Sequence, residues 1–384
     1  MCTCPYCKSL NTTKLKIKKE LLIAAPLDEN FKENGLAIDV KPVVCNDCGV
    51  IFDSAPNPSE YVELSCKFGY ASATSNIGQN HFNGLFNLVH KYVKKNAKVL
   101  EIGGKSGRLL SMLEADGFLD LTGYDPAAVF EDTKAIKAVK DFFTTDLVFY
   151  NKFDCFISQN CLSFFKDLQD FLVFLHKNLN KKGYFILENV KGNVPTASQF
   201  WFLPLGFYER LAKDNGFNII DAMEESGKDG FLRVVMQKRE DGERYCPYFS
   251  DAEIEHFKEN IIKDINEDII DDNKKSELFN MLKDNLGQDV VLWGTGSSAF
   301  RILDCIDKEL LLKTSFFVVD GDESRKGKIW VSPVAGRFKV HSINDLKNTT
   351  KKALIIAASS EYIAEIKARA LDINFNYSTC FCIK

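Results

Sequence analysis

A chain of 384 residues is longer than one hydrophobic core usually serves, so two or three domains are expected. Its 45% hydrophobic and 27% charged residues are those of a globular protein, not of a disordered or collagen-like one. Lys+Arg 49 against Asp+Glu 53, a formal charge of −4, excludes the basic footprint of a nucleic-acid binder, while a local pocket for an anionic small molecule stays compatible.

The N-terminus, Met1-Cys-Thr-Cys-Pro-Tyr-Cys7, lacks the basic-then-apolar layout of a secretory signal, and no apolar run nears the ~20 residues that span a bilayer. A cytoplasmic location and no membrane partner are expected. The first segment, 1–55, opens with Cys4-Pro-Tyr-Cys7 and closes with Cys45-Asn-Asp-Cys48-Gly49. Two C-x-x-C knuckles predict a ribbon in which Cys4, Cys7, Cys45 and Cys48 hold a structural Zn2+ with no open position. Redox-active C-x-x-C pairs are the alternative. So short a segment buries little core, and the metal would supply its folding free energy. Cys2 is a spare thiol beside the first knuckle; the other seven of the 12 cysteines read mainly as small buried hydrophobes.

A polar connector, 56–80, leads to an amphipathic helix with Phe82, Leu85, Phe86, Val89 and Val93 at three- and four-residue spacing. The central segment, 81–240, alternates strands and helices. Strands are predicted at 98–102, 121–125, 153–158, 183–188 and 232–236. Helices are predicted at 108–115, 168–179 and 210–216, and 135–139 is helical in character. Such alternation implies a parallel, doubly wound α/β sheet. A charge-rich helical spacer, 241–287, follows. The last segment, 288–384, begins afresh with Asp289-Val-Val-Leu-Trp-Gly-Thr-Gly-Ser297 and reads as a second, smaller Rossmann-like unit.

Glu101-Ile-Gly103-Gly104-Lys-Ser-Gly107 follows an apolar strand and precedes a helix, the context a nucleotide-type loop requires. Its glycines permit a sharp turn and a close backbone approach to a ligand, but their spacing is not the pyrophosphate pattern. Asp125, followed by Pro126, ends the next strand about 20 residues on, where a carboxylate accepts ribose hydroxyls. Capping of the following turn is the plainer role for such an aspartate. In the last segment, Gly294, Thr295, Gly296 and Ser297 open a helix whose free amides suit an anion, and Asp320 ends the next strand. A scaffold without a ligand is the alternative there.

The loop at Glu101 resembles motif I of class I methyltransferases, which implies S-adenosylmethionine as cofactor. By the same resemblance Asp141 and Phe142 lie at the adenine, and Gln159 and Asn160 close over the cofactor. The whole chain, zinc ribbon, class I methyltransferase sheet and C-terminal Rossmann-like domain, resembles the three-domain sugar C-methyltransferases. That family methylates nucleotide-linked keto-deoxysugars held between the central and C-terminal domains. The resemblance therefore implies a nucleotide-sugar partner and a substrate-binding role for Gly294 to Ser297 and Asp320.

The chain departs from that family at its base. The Tyr/His/Glu/His cluster should fall at Thr196-Ala-Ser-Gln-Phe-Trp201, which holds neither His nor Glu. Carbon deprotonation needs a tuned base, whereas a hydroxyl needs only modest assistance, so O-methylation is favoured over C-methylation. His81, Tyr70 and Glu188 are the residues left to assist. A surface histidine and a turn-capping glutamate are the plainer roles for His81 and Glu188. An NAD-dependent sugar-nucleotide oxidoreductase is a rival, without a Tyr-x-x-x-Lys pair to support it. A zinc-ribbon interaction protein with degenerate α/β domains is another.

Overall fold

The computed structural model describes residues 2–55, 59–68, 76–192, 195–224, 231–267, 270–348, 353–358 and 362–382. The chain divides into two compact units. The first comprises Met1–Ile17, Lys41–Lys67 and Ala71–Asn266; the second comprises Lys18–Val40, Phe68–Tyr70 and Glu267–Lys384. The division does not follow chain order, because the middle of the segment read as one ribbon, Lys18–Val40, belongs to the second unit.

The first unit is built on seven strands: β1 (Lys98–Ile102), β2 (Asp120–Tyr124), β3 (Ile136–Val139), β4 (Phe153–Gln159), β5 (Leu179–Val190), β6 (Phe217–Glu224) and β7 (Phe231–Lys238). They lie in the order β6-β7-β5-β4-β1-β2-β3. Neighbours from β5 to β3 are parallel, while β7 runs antiparallel to both β5 and β6. The sheet is therefore mixed, not wholly parallel as the alternation implied. Only six residues separate β6 from β7, too few for the crossover that a parallel pair needs, so the chain returns beside itself in the opposite sense. The bulge between Ile219 and Asp221 breaks the alternation of β6, and this hid the strand in the sequence. Residues 135–139 are a further correction. Ile136–Val139 is a strand at the sheet edge, where pairing of Ile136 with Leu121 overrides the local helical preference of Ala and Lys.

Alternation along each strand builds two cores. Val99, Leu121, Cys155, Ile157, Ile186 and Val235 point to one face, against Phe82, Leu85 and Val89 of α1 (Asn76–Tyr92) and Leu109, Leu110 and Leu113 of α2 (Arg108–Ala115). Leu100, Ile102, Phe156, Phe185 and Leu187 point to the other. They meet Phe171, Leu172 and Leu175 of α3 (Leu168–Asn178) and Tyr208 and Leu211 of α4 (Phe207–Asp214). The cysteine ribbon, with strands at Thr12–Lys14, Pro42–Cys45 and Ile51–Asp53, packs on this second face through Tyr6, Val43 and Phe52. Residues 200–202 extend it: Phe202 N–H donates to Ile51 at 2.8 Å, and Asp53 N–H to Phe200 at 2.9 Å. Helix α5 (Asp251–Asn266) ends the unit.

The second unit has five parallel strands, β8 (Asp289–Trp293), β9 (Ser315–Asp320), β10 (His341–Ser342), β11 (Ala353–Ala357) and β12 (Tyr377–Cys382), in the order β10-β9-β8-β11-β12. Helices α6 (Asp272–Asp284), α7 (Ser297–Asp304), α8 (Lys308–Lys313) and α9 (Ile363–Asp372) accompany them. An early hairpin, Lys18–Leu21 with Ala37–Val40, joins this unit. Leu21 is part of its core, and Leu27 pairs with Ile329. Among the described residues no helix is long and apolar enough to cross a membrane.

Candidate active site

Strand β1 carries Glu101 to the carboxyl edge of the seven-stranded sheet, the edge at which open α/β sheets receive ligands. The side chain is fully buried, and neither carboxylate oxygen has a hydrogen-bond partner among the described residues. Burial, reinforced by the charge of Asp125, pushes this carboxyl up to about 8. Its place under the loop is possible only because residue 104 is glycine, since a Cβ there would overlap Glu101 Oε2. Gly103, at φ +85°, turns the chain so that its N–H donates to Tyr124 at 2.8 Å, with the Cys161 thiol pressed against its Cα. Gly107 opens α2 beneath the ring of Phe130.

Asp125 follows β2 beside this loop and is nearly buried. Its Oδ2 accepts from Lys105 N–H at 3.1 Å and its Oδ1 from Ala127 N–H at 2.7 Å, so it braces the glycine loop and caps the turn through Pro126. Burial raises its carboxyl above the ordinary range. Asp141 lies just beyond β3, with its Oδ1 accepting from Phe142 N–H at 2.8 Å; Phe142 is exposed, whereas Phe143 turns into the core. Gln159 ends β4. Asn160, in the left-handed region at φ 54°, donates its N–H to Glu188 O at 2.7 Å and accepts from Val190 N–H at 2.8 Å. Cys161 follows, its thiol raised well above the usual value by burial.

The structure brings His81 and Glu188 together, although 107 positions separate them in the sequence. His81 Nδ1 lies 2.5 Å from Glu188 Oε1, and its Nε2 is 3.2 Å from the Gln159 amide nitrogen. Arg233, unforeseen in the sequence reading, completes the group from β7: its Nε donates to Glu188 Oε2 at 2.6 Å. All three side chains are buried. A lone arginine in the apolar strand Phe231-Leu-Arg-Val-Val-Met236 was the available clue, since a buried arginine requires a carboxylate. Tyr70 lies outside the described residues.

The four knuckle cysteines converge, with their sulfurs all within 4.8 Å of one another, as a set that could hold a metal ion. The two knuckles repeat one backbone design. Lys8 N–H donates to Cys4 O at 3.0 Å, and Gly49 N–H to Cys45 O at 2.9 Å, each donor residue being left-handed (φ 65° and 77°). Nearest sulfurs are 3.5 Å (Cys7 to Cys45) and 3.7 Å (Cys4 to Cys48) apart, too far for disulfides and suited to thiolates around one centre.

In the second unit, Gly294 and Gly296 take φ values of 106° and 145° and deliver Thr295 to Asp320. Asp320 Oδ2 accepts from Thr295 N–H at 2.9 Å, from its hydroxyl at 2.6 Å and from buried Arg325 at 3.0 Å. Its Oδ1 accepts from Asp322 N–H at 2.9 Å, so the carboxylate is committed to holding its own loop. Glu20, from the early hairpin, pairs with Arg301 one turn into α7.

Residues 80–227 match a family model described as a methyltransferase domain. No curated protein matches the chain. Solved structures with similarity include the magnesium protoporphyrin IX methyltransferase ChlM from Synechocystis PCC 6803 with bound S-adenosylhomocysteine. It is 15% identical, with 47% of this chain and 95% of that one covered and a TM-score of 0.35. Another is the 1,6-didemethyltoxoflavin-N1-methyltransferase from Burkholderia thailandensis, 15% identical over 56% of this chain and all (100%) of that one, at a TM-score of 0.39. The N-methyltransferase NodS from Bradyrhizobium japonicum WM9 is 12% identical over 44% and 99% of the two chains, at a TM-score of 0.35. Residues 80–227 are a methyltransferase domain on a mixed α/β sheet, and the chain that carries them is a methyltransferase enzyme.

Proposed function

We propose that the chain methylates a hydroxyl of a sugar, borne as a nucleotide derivative, with S-adenosylmethionine as the donor. The observation that carries the cofactor half is Glu101. A fully buried carboxylate with two unpartnered oxygens, lying under a glycine cradle that a Cβ would fill, fits a cationic ligand resting on that loop. When bound, the cofactor supplies a methyl group made electrophilic by its sulfonium. Glu101, Gly103, Gly104 and Gly107 would take its methionine end, and Asp125, through lone pairs left free by the two amides, its ribose. Asp141, Phe142, Gln159 and Asn160 would flank the remainder.

The sugar half rests on the resemblance of the whole chain to the sugar C-methyltransferases, with the Gly294 to Ser297 loop as the proposed nucleotide wall. Asp320 is left out of that proposal because its own loop holds it. Oxygen is favoured as the methylated atom because the stretch 196–201 lacks a base. Ser198 instead donates to Tyr61 O at 3.3 Å, and Trp201 Nε1 to Phe165 O at 2.7 Å, which are structural duties. His81, Glu188 and Tyr70 form the proposed catalytic set, and the four knuckle cysteines the proposed site of a structural Zn2+. Calorimetry with S-adenosylmethionine, S-adenosylhomocysteine and NAD tests the cofactor, and stabilisation by NAD alone would sink the proposal. A panel of nucleotide sugars, read by mass gain of one methyl, tests the acceptor; methylation only of non-sugar acceptors would remove the sugar half.

A further inference from the structure

We propose that Arg233 and Glu188 are positioning residues that hold His81 in one tautomer as the base for the acceptor hydroxyl, with Gly84 making room for them. This deepens the methyltransferase reading and rests on it. Glu188 is fully buried: its Oε2 receives a hydrogen bond from Arg233 Nε at 2.6 Å, and its Oε1 stands 2.5 Å from His81 Nδ1 as an ion-pair contact outside hydrogen-bond geometry. The Gln159 amide nitrogen only donates, so the ring's lone pair resides on Nε2 and its proton on Nδ1, facing the carboxylate. The ring is fixed from other sides as well. It stacks on Phe231 at 4.3 Å and leans on Phe82 at 4.8 Å, which in turn lies under the Arg108 guanidinium. Nε2 faces Gln159, a residue at the carboxyl edge beside Gly103, so the bare nitrogen is directed at the edge that receives ligands.

Gly84 is the independent sign. It sits inside α1, where glycine costs about 1 kcal/mol relative to alanine. A Cβ at this position would lie 2.6 Å from Arg233 Cζ, so the missing side chain is the space the guanidinium occupies. Arg233 also donates to His81 O at 3.3 Å and thereby ties the helix backbone to the same pair. An Arg–Glu pair alone would join β7 to β5; aimed at an imidazole, it also fixes which nitrogen is basic. In the step proposed, the acceptor hydroxyl replaces the Gln159 amide at Nε2. His81 Nε2 takes the hydroxyl proton as the oxygen forms its bond to the methyl carbon. The carbon–sulfur bond breaks, and its electron pair returns to sulfur. The imidazolium, held against Glu188, then gives the proton to water.

Nitrogen-15 NMR of the full chain, labelled at its five histidines and saturated with S-adenosylhomocysteine, reads the tautomer directly, with H81N assigning the signal. The expected result at pH 8 is a protonated Nδ1 and a bare Nε2 in the unsubstituted chain. This preference should be lost in E188Q, R233M and G84A and kept in R233K. With the nucleotide sugar that accepts a methyl, E188Q should lower kcat by about 10²-fold, the lower end of general-base assistance. KM and S-adenosylhomocysteine affinity should stay near their original values, and R233K should recover most of the rate. A proton on Nε2 in the unsubstituted chain, or full kcat in both E188Q and R233M, would overturn the assignment. Failure of the unsubstituted chain to bind S-adenosylhomocysteine would instead overturn the cofactor reading, and the tautomer remains measurable without it.

Discussion

Glu101 is destabilising in the ligand-free chain and useful in the loaded one. Its carboxyl sits at about 8 in the folded protein because burial, and then Asp125, oppose its charge. Unfolded, it would ionise near the ordinary glutamate value of about 4.3. Since the folded pKa is the raised one, its favourable contribution is complete below the unfolded value and disappears as pH climbs through about 8. Glu101→Gln should therefore stabilise the ligand-free protein at pH 9 by about 1–3 kcal/mol and leave pH 4 stability nearly unchanged, as read by denaturant titration. The same substitution should weaken S-adenosylmethionine binding at least tenfold by calorimetry; undiminished affinity would remove Glu101 from the cofactor site. Gly103→Ala should lower stability by about 1–3 kcal/mol or more, because it adds a left-handed alanine to a collision with Cys161. Such residues were legible because the strand, the glycines and the acidic residue are close in sequence. Arg233 and Gly84 were not, since each has meaning only through a partner on another element.

The elements that sequence reading found are those whose own residues settle their conformation. β1, β4 and β7 are apolar runs and were read as strands. β3 and β6 were missed because edge pairing and a bulge, not local pattern, make them strands. The ribbon is the reverse case, an element whose chemistry was plain from four cysteines but whose support was not. Its last strand pairs with residues 200–202, which overlap the stretch 196–201 where the resemblance would put a base cluster and the chain has none. Chelation should therefore disturb the methyltransferase unit itself. Metal analysis should find about one zinc per chain, the number one closed tetrahedral site takes. Stripping it, or Cys45→Ser, should shift the fluorescence of Trp201, which bridges to Phe52. An unchanged spectrum after complete metal loss would show that the ribbon folds without it.

At the scale of the molecule, the second unit takes in an early segment of the chain, Lys18–Val40. The early hairpin places Leu21 in the second core, Glu20 against Arg301, and Asn34 within 3.0 Å of Ile329 O. A fragment of residues 267–384 should on that account be poorly folded by circular dichroism, and adding a peptide of residues 18–40 should restore its structure. A fragment already native without the peptide would refute this dependence. Composition and motifs announced several domains but not this interleaving, because nothing in a local pattern records which later strands a hairpin will meet. The arrangement also sets a timetable for synthesis. Residues 18–40 leave the ribosome about 250 residues before β8 exists, a delay of roughly 10–50 s at usual elongation rates. Throughout it the apolar run Leu21-Leu22-Ile23 waits without its core, so the nascent chain should engage a hydrophobic-binding chaperone there, released only when the C-terminal sheet has emerged.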